Sequence, residues 1–486
     1  MTAERSGVTP HRTTTTFDDG SAEIPSGILR PVERVLVLGA GIAGLTVANA
    51  LAHAGVNCVV LEARHRLGGR LHTADLAGSR VDLGGSWIHH PVGNPVSRLA
   101  HVAGIERRPG NPLSTQSAYD RTTGLWQSPA EVEATLTAEL EGFTRALKGL
   151  RTRLGPAASA AEGIEAYLTT TGLVGEALRR ARQGLRGHVE ADAAGAAEDQ
   201  SLTWLWTQEE FGGDYFGDLP EGGYASVVNA MAAGLDVRLD WPAGRVESTD
   251  AGVTVTSTSG TTETGSHVVV TVPLGVLKIG APVFVPPLPP DRLEAVRRLG
   301  FGRYEKVALK FDAPFWREAG WSHLVVYPRE TAEPASWVYD LDAFSGVPVL
   351  VCHTLHSATD HLGAAASADG ARWMLSMLAE ALDTPCPDPA AVTVTNWAAD
   401  PYAGGAYTHV PPDASNADAD LLGEPIAGRV LFAGEHTQSA RLGYADGAMT
   451  SGVREAKRLL GTSDVTLGLS PEPLTVGDQQ QPVGRR

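Results

Sequence analysis

A glycine-rich loop near the start of the chain has the residue types and spacing that can hold a phosphate group. In Gly39-Ala-Gly-Ile-Ala-Gly44 the first glycine permits a tight turn, the second admits a pyrophosphate to the backbone N–H groups, and the third allows close packing of helix on strand. Glu62 follows 18 residues after Gly44, where its carboxylate can accept hydrogen bonds from a ribose diol. These residues predict a dinucleotide site that includes Gly39, Gly41, Ile42, Ala43, Gly44 and Glu62.

The elements around the loop are those that such a site requires. Arg34-Val-Leu-Val-Leu38 is a short apolar run, Ala43 to Ala54 has helical spacing, and Asn57-Cys-Val-Val-Leu61 is a second apolar run. The pattern predicts a βαβ unit with the loop at the carboxyl end of its first strand.

Composition restricts the partners and the setting of the protein. The chain has 486 residues, 43% of them apolar, which allows two or three domains. Its 39 Lys and Arg face 56 Asp and Glu, and the net charge of -17 argues against nucleic-acid binding. The cysteines, Cys58, Cys352 and Cys386, are far apart and form no metal or disulfide motif. We therefore expect a cytoplasmic monomer or homodimer with no metal and no membrane partner.

The rest of the chain divides into helical and β-rich stretches. Apolar residues at steps of three and four predict a long amphipathic helix from Glu131 to Leu154, opening a helical region that runs to about Asp199. Alternation predicts a small antiparallel ribbon near Val253, whose last strand, His267 to Val272, returns to the main sheet. It also predicts a strand around Lys306 with one apolar and one basic face. Gly447 to Leu460 has the pattern of a closing helix.

Two further glycine pairs help to choose the cofactor. A nicotinamide dinucleotide leaves the protein after its first crevice, whereas FAD lies extended and needs more glycine-lined backbone. Gly68-Gly69 and Gly84-Gly85 can supply that backbone, although two ordinary loop turns would have the same composition. The pairs favour FAD over NAD.

Several segments, in order along the chain, resemble the flavin-containing amine oxidases. The closest similarity is to polyamine oxidases and to the catalytic domain of lysine-specific histone demethylases, and it spans about Arg34 to Leu460. The segments are Arg66 to Arg70, Gly84 to His89, Pro273-Leu-Gly-Val-Leu-Lys278, Phe301-Gly-Arg-Tyr-Glu-Lys306, Pro314-Phe-Trp316, Phe432-Ala-Gly-Glu-His-Thr437 and Gly443-Tyr-Ala-Asp-Gly447.

The resemblance implies an α/β fold of two interleaved domains. Residues 33–94, 236–283 and 401–460 would form a Rossmann-like FAD-binding domain. Residues 95–235 and 284–400 would form an α+β substrate-binding domain with a mixed sheet and helices. Residues 1–32 and 461–486 are expected to be a disordered leader and tail.

The resemblance also assigns catalytic roles. Lys306 matches the lysine that holds a water against flavin N5 and assists the reaction with oxygen; its positive charge would stabilise developing superoxide and peroxide. Tyr407 and Tyr444 match two aromatic walls that hold an amine before the flavin. Ala406 stands where monoamine oxidases carry the cysteine that bonds to the flavin, so FAD should be non-covalent.

Further cofactor contacts follow from the same similarity. Glu435 matches an acidic residue of the second FAD-binding segment, and a helix opening near Ala445 would direct its N–H groups at the flavin. Trp397 would lie beside the flavin ring and Val246 would contact adenine through its backbone, although both residues could equally be core. The remaining expected contacts are Ala63, Arg64, Gly68, Gly69, Arg70, Gly84, Gly85, Ser86, Trp87 and Gly434.

Two features keep more than one interpretation. His89 matches a histidine of the polyamine oxidase signature Trp-Ile-His-Gly, but His90 replaces the glycine, which leaves the role of His89 open. The stretch Trp204 to Asp218 mixes aromatic and acidic residues, which can receive the distal ammonium of a polyamine or form a solvated loop.

The predicted reaction is oxidation of a primary or secondary amine, either a polyamine or a monoamine, to an imine that water hydrolyses, with O2 reduced to hydrogen peroxide. The amine reacts in its neutral form, which an apolar aromatic pocket favours. An amino-acid oxidase is one alternative and a flavin-dependent carbon–carbon desaturase is another. A non-enzymatic scaffold would be expected to lack Lys306 or Glu62, and both are present.

Overall fold

A computed structural model describes residues 13–17, 31–329, 333–362 and 367–469. The strands are β1 Thr13–Phe17, β2 Arg34–Leu38, β3 Asn57–Leu61, β4 Thr73–Leu76, β5 Ser79–Asp82, β6 Arg107–Pro109, β7 Gln116–Asp120, β8 Leu125–Gln127, β9 Asp218–Pro220, β10 Val237–Arg238, β11 Ala243–Thr249, β12 Gly252–Ser257, β13 Thr262–Gly265, β14 His267–Val270, β15 Val283–Val285, β16 Gly300–Phe301, β17 Tyr304–Lys310, β18 His323–Tyr327, β19 Ser336–Asp340, β20 Val349–Leu355, β21 Ala391–Val394, β22 Thr408–His409, β23 Val430–Phe432 and β24 Val465–Leu469. The helices are α1 Ile42–His53, α2 Pro95–Val102, α3 Pro129–Leu154, α4 Ala160–Thr171, α5 Gly175–Ala193, α6 Tyr224–Ala232, α7 Leu274–Lys278, α8 Pro290–Arg298, α9 Leu341–Ser345, α10 Ser367–Leu382, α11 Asn416–Leu422 and α12 Ala445–Leu460.

A parallel sheet of five strands, in the order β10-β3-β2-β14-β23, carries the glycine-rich loop. Alternate residues of its strands enter two different hydrophobic clusters, Val35 and Val37 on one face and Leu36 and Leu38 on the other. Burial on both faces is typical of parallel sheets covered by helices and explains the continuous apolar runs in the sequence. The predicted return of the strand after the ribbon to this sheet is confirmed, because β14 lies between β2 and β23.

The predicted βαβ unit is confirmed almost to the residue. Both strands have the expected bounds, and α1 begins at Ile42, one residue earlier than the periodicity indicated. The third glycine of the loop is needed for packing, since a Cβ at Gly44 would lie 2.1 Å from the carbonyl oxygen of Gly39. The helix therefore meets the strand at a distance that only glycine permits.

The second large sheet has seven strands in the order β21-β17-β20-β19-β18-β7-β8. β7 and β18 are parallel, and the other neighbours are antiparallel. This mixed sheet, together with the parallel one, confirms the predicted α/β fold with a Rossmann-like part and an interleaved α+β part.

A helical layer of α3, α4 and α5 lies over the mixed sheet. Ser128 caps α3 through a capping box with Glu131, so the predicted amphipathic helix begins at Pro129 and ends at Leu154. Phe143, Leu147 and Leu150 of its apolar stripe pack in a cluster with α4 and α5. The first two turns of the same stripe face a cavity instead, as described below.

The expectation of a disordered leader and tail is wrong for two segments. Thr13–Phe17 and Val465–Leu469 pair as an antiparallel ribbon, with Thr13 opposite Leu469. Val465, Leu467 and Leu469 are buried beside α1, so the two-residue period of this short stretch gives it an apolar face to bury. Residues 1–12, 18–30 and 470–486 of the predicted leader and tail lie outside the described residues.

The strand around Lys306 is covered on both faces. β17 lies inside the seven-stranded sheet, between β21 and β20, and both of its faces are covered. Lys306 is only 4% exposed, so its face is turned to the interior and not to solvent. In β17, the basic residue that alternates with apolar ones lines a cavity.

Within the parts of the chain that the structure describes, no helix is long and apolar enough to cross a lipid bilayer.

Candidate active site

A cavity of about 800 Å³ runs from the glycine-rich loop to the seven-stranded sheet. It brings together most of the residues predicted from sequence, although they are widely separated along the chain. Those that line it are Gly39, Gly41, Ile42, Ala43, Glu62, Ala63, Arg64, Gly68, Gly69, Arg70, Gly84, Gly85, Ser86, Trp87, His89, Lys306, Trp397, Tyr407, Gly434, Glu435, Tyr444 and Ala445.

At the end nearest the parallel sheet, glycine backbone forms the wall. Gly41 and Gly68 pair through a backbone bridge, and a Cβ at Gly41 would meet nothing closer than the Gly68 carbonyl oxygen, 4.0 Å away. A side chain there would enter the cavity and not the protein. This open backbone at the start of α1 fits a pyrophosphate, because helix N-termini present free N–H groups to anions.

Glu62 stands at the carboxyl end of β3 and is held from both sides. One carboxylate oxygen accepts the N–H of Ala40 at 2.6 Å, and the other accepts the N–H of Arg64 at 2.8 Å. Burial raises the pKa of Glu62, while these hydrogen bonds and the nearby Arg64 and Arg66 oppose the rise. Since each oxygen has a second lone pair, the group can still accept hydrogen bonds from a sugar diol.

Lys306 projects from β17 into the cavity beside the second glycine pair. Its Nζ donates to the carbonyl oxygens of Gly84 at 2.6 Å and Asp82 at 3.0 Å and to Oγ of Ser86 at 2.7 Å. Burial lowers the pKa of Lys306 to about 8, although the carboxylate of Asp82 acts in the opposite direction. The lysine therefore provides a fixed positive charge at neutral pH.

The two predicted tyrosines line the cavity from different elements. Tyr407 donates its hydroxyl to the carbonyl oxygen of Ala191 at 2.5 Å and packs on Tyr304, with ring centroids 5.9 Å apart. Tyr444 has the guanidinium of Arg441 4.1 Å from its ring centroid. Burial raises the pKa of both phenols, so they remain uncharged aromatic walls.

Glu435 joins the segments that carry both tyrosines. It accepts hydrogen bonds from the hydroxyl of Thr408 at 3.1 Å and from the N–H of Gly443 at 3.0 Å, the neighbours of Tyr407 and Tyr444. It also pairs with Arg70 at 2.8 Å. Burial disfavours its charge, but Arg70 and the hydrogen bonds hold the pKa of Glu435 below its ordinary value. The carboxylate thus connects Arg70, which follows the Gly68-Gly69 pair, to the two segments that carry Tyr407 and Tyr444.

An acidic residue that sequence reasoning missed, Asp192, lies at the end of α5. It accepts hydrogen bonds from Nε1 of Trp206 at 2.8 Å and from the hydroxyl of Tyr215, and Nε2 of His188 lies 3.8 Å away. Its side chain is 15% exposed and lines the cavity. Two neutral donors orient this carboxylate without neutralising it, which suits recognition of a positively charged group.

Comparison with known proteins agrees with this geometry. The sequence profile of the family described as flavin containing amine oxidoreductase matches residues 42–460. The chain belongs to the flavin-containing amine oxidoreductase family. It is 32% identical, over 91% of its length and 59% of the relative's, to "Lysine-specific histone demethylase 1 homolog 2" of Oryza sativa subsp. japonica. It is 29% identical to "Lysine-specific histone demethylase 2" of Homo sapiens, over 87% of the chain and 53% of that protein. The chain thus spans about half the length of these curated relatives.

FAD is the cofactor of this amine oxidoreductase, and it is bound without a covalent link. The donor set fits it: the glycine backbone at Gly41 and Gly68 and the carboxylate of Glu62 suit the dinucleotide part. The second glycine pair beside Lys306 continues the cradle toward the tyrosines. Ala406, which lines the cavity beside Tyr407, has no atom that can bond to the flavin.

His89 contacts two tyrosines of the cavity wall, Tyr215 and Tyr444. Its Nδ1 is 2.7 Å from the carbonyl oxygen of Tyr215, and its ring meets the Tyr444 ring edge-on at 5.6 Å. Burial lowers the pKa of His89, so it is neutral and supports Tyr444. The neighbouring His90 adopts a φ of 48°, a left-handed conformation in which glycine is the ordinary residue.

Only part of the acidic and aromatic stretch Trp204 to Asp218 faces the cavity. Glu210, Tyr215 and Phe216 line the cavity, whereas Asp218 pairs with Arg107. The stretch is therefore partly a wall of the site and partly structural.

Two predicted cofactor residues do not line the cavity. Val246 is buried in the cluster below the parallel sheet, and its strand β11 is paired on both sides by β12 and β15. Gly44 is buried against the strand, as its packing role requires. Trp397 does line the cavity and donates Nε1 to the carbonyl oxygen of Leu83 at 3.1 Å.

Sequence reasoning also missed other parts of the wall. A segment directly after β10 lines the cofactor end, at the carboxyl edge of the parallel sheet where ligands bind in such folds. Because β10 has only two residues, its sequence shows no alternation that could have predicted a strand before this segment. The missed residues of that segment and of the amine end are Trp241, Pro242, Ala243, Tyr304, Tyr339 and His353.

Proposed function

We propose that this amine oxidoreductase converts a primary or secondary small-molecule amine to an imine, which water hydrolyses, while O2 is reduced to hydrogen peroxide. The observation that carries the proposal is the joint placement of Lys306, Tyr407 and Tyr444 in one cavity with the glycine-rich loop. A desaturase of apolar carbon chains has no use for a buried lysine beside paired tyrosines.

The chain's own residues supply capture, orientation and desolvation. Bound FAD supplies the acceptor for the two electrons and the hydrogen that leave the amine carbon. The carboxylate of Asp192, at the end of α5, attracts the protonated amine into the cavity. The tyrosine walls then hold it in an apolar setting, which favours loss of its extra proton and so yields the reactive neutral amine.

Lys306 serves the oxygen half of the cycle. Its ammonium is fixed by three oxygen acceptors beside the Gly84–Ser86 segment, so no reorganisation is needed when negative charge develops on oxygen. A charge held in a buried site is worth more than one in water because the local dielectric is low.

The relatives' printed names point to another amine, a methylated lysine within a histone. A monomethylated lysine side chain is also a secondary amine, and the same chemistry in the cavity would act on it. Peptides that carry N-methyl-lysine therefore belong in the test beside free monoamines, polyamines and amino acids.

The test is an amine panel added to the FAD-loaded protein without oxygen, followed by peroxide measurement after air is admitted. Bleaching of the yellow flavin by monoamines or polyamines supports the proposal. Bleaching only by amino acids would show an amino-acid oxidase, and bleaching only by methyl-lysine peptides would show a demethylase. Protein that no amine bleaches would contradict the proposal. Acid precipitation should leave a colourless pellet, as non-covalent FAD requires.

A further inference from the structure

The amine end of the cavity extends into an apolar limb between α3, α5 and the seven-stranded sheet. The limb is lined by Val132, Leu136, Leu140, Gly184, Val325 and Trp337. Its polar members, Gln116 and Tyr327, are uncharged, since burial raises the pKa of Tyr327 to about 12.

The register of the seven-stranded sheet places the limb on the same cavity wall as Lys306. In the strand register, Lys306 is opposite His353, His353 is opposite Trp337, and Trp337 is opposite Val325. Residues directly opposite one another share a face of a sheet, so these four form one row along the cavity wall. Three strand spacings separate Lys306 from Val325, which places the limb about 14 Å from the lysine.

The helix over the row has room where the limb lies. A Cβ at Gly184 of α5 would meet only Cδ1 of Leu136, at 3.7 Å, whereas a Cβ at Gly187 would meet the Trp337 ring at 3.3 Å. Gly187 therefore serves packing, and Gly184 leaves free space in the cavity. Asp192 lies two turns further along α5, so the charge and the apolar limb are at different depths.

We infer that the amine substrate carries an extended apolar substituent, alkyl or aralkyl, which fills this limb; the inference rests on the proposed function. A second ammonium group in the limb would lose its hydration without gaining a charged partner, which disfavours its binding there. The limb thus selects apolar monoamines over diamines of equal length, and Gly184 determines how long the substituent can be.

The experiment measures kcat/KM, from peroxide release in air, for linear amines from ethylamine to octylamine and for the diamine with the carbon chain of octylamine, and it records anaerobic flavin bleaching by each amine. In the wild-type protein, kcat/KM should rise about fourfold per methylene until the limb is full. The diamine should be about tenfold or more poorer than octylamine. Gly184→Leu should lower the ratio of kcat/KM for octylamine to kcat/KM for ethylamine about tenfold or more. Leucine is a better helix former than glycine, so α5 is retained.

Two further variants separate steric blockage from general damage. Adding Leu136→Ala to Gly184→Leu removes the side chain nearest to the new leucine and should restore most of the octylamine activity. Gly149→Leu on α3, where a Cβ meets nothing within 4 Å, is the matched control and should behave as wild type.

The outcomes are distinguishable. If no amine of any length bleaches the wild-type flavin, the proposed function is wrong and the inference falls with it. If short amines bleach it but chain length has no effect, if the diamine is preferred, or if Gly184→Leu impairs short and long amines equally, only the apolar limb is wrong.

Discussion

The two ends of the cavity are built from different parts of the polypeptide. The cofactor end is largely backbone: Gly41 leaves open main chain, Gly68 and Gly84 lie too close to neighbouring main chain for a side chain, and the carboxylate of Glu62 is fixed by the N–H groups of Ala40 and Arg64. The amine end is side chains, brought from β17, β19, β20 and α5. A cofactor common to many proteins is thus recognised mainly by main-chain geometry within one βαβ unit. The amine substrate is recognised by side chains from elements that are far apart in the sequence.

The largest expected effect lies at the cofactor end. In Gly44→Ala the new Cβ would lie 2.1 Å from the Gly39 carbonyl oxygen, so α1 must move away from the strand. We expect flavin affinity to fall by about 100-fold or more, because a displaced helix N-terminus no longer meets the pyrophosphate. The ratio of flavin to protein absorbance after gel filtration measures this loss. Gly149→Ala is the control and should retain its flavin; full flavin occupancy in Gly44→Ala would contradict the assigned packing.

Replacing Lys306 should affect oxygen chemistry and leave the cofactor in place. We expect Lys306→Met to slow reoxidation of the reduced flavin by O2 about 100-fold, whereas Tyr407→Phe, which keeps the ring, should slow it less. Stopped-flow mixing of the reduced protein with O2 measures both rates. Equal effects of the two variants would contradict the role given to the lysine.

The same lysine predicts a pH dependence. Its pKa is lowered to about 8, so it is charged below that pH and neutral above it. Negative charge on the reduced cofactor favours the charged form, and the fall in reoxidation rate should therefore occur at or above pH 8 as pH rises. Lys306→Met should show no such step, and a step that persists in this variant would assign the titration to another group.

Glu435→Gln tests whether the two ends can be separated. The amide keeps an acceptor for Thr408 but loses the charge that pairs with Arg70 at 2.8 Å. We expect about a tenfold loss in flavin affinity together with about a tenfold rise in amine KM, since a charged hydrogen bond contributes about 1.5–3 kcal/mol. Flavin titration and steady-state kinetics measure the two effects, and a change in only one would show that Glu435 serves one end alone.

The smallest effect is expected at Asp192. Asp192→Asn should raise KM for amines about tenfold and leave both flavin affinity and the limiting rate of flavin reduction unchanged, because it removes an attraction and no reacting group. Glu198→Gln, which removes a carboxylate that pairs with Arg186 away from the cavity, is the matched control. A fall in the limiting rate would place Asp192 among the catalytic residues.

The local part of the fold and site could be predicted from sequence because its signals are contiguous. The bounds of β2 and β3, the role of Gly44 and the position of Glu62 all depend on fewer than about 30 neighbouring residues, the size of one βαβ unit. Lys306 and both tyrosines were found through a family resemblance, not through periodicity.

Asp192, Trp337 and His353 could not be predicted because their place depends on strand register and on which helix face meets the sheet. Neither is fixed by the composition of the segment itself. Val246, expected either to contact adenine through its backbone or to be core, lies in a strand paired on both sides and has its side chain in the core. The strand β24 was missed because five residues of alternation are a weak signal beside a polar tail.

The parallel sheet takes its last strand, β23, from far along the chain, and α12 and β24 then cover α1. On β24, Gly468 exchanges hydrogen bonds with Asn49 of α1, at 2.7 and 3.0 Å. During translation, therefore, the glycine-rich loop leaves the ribosome long before the residues that support its helix have been made. We therefore expect flavin to be captured only after the residues through β24 have been made.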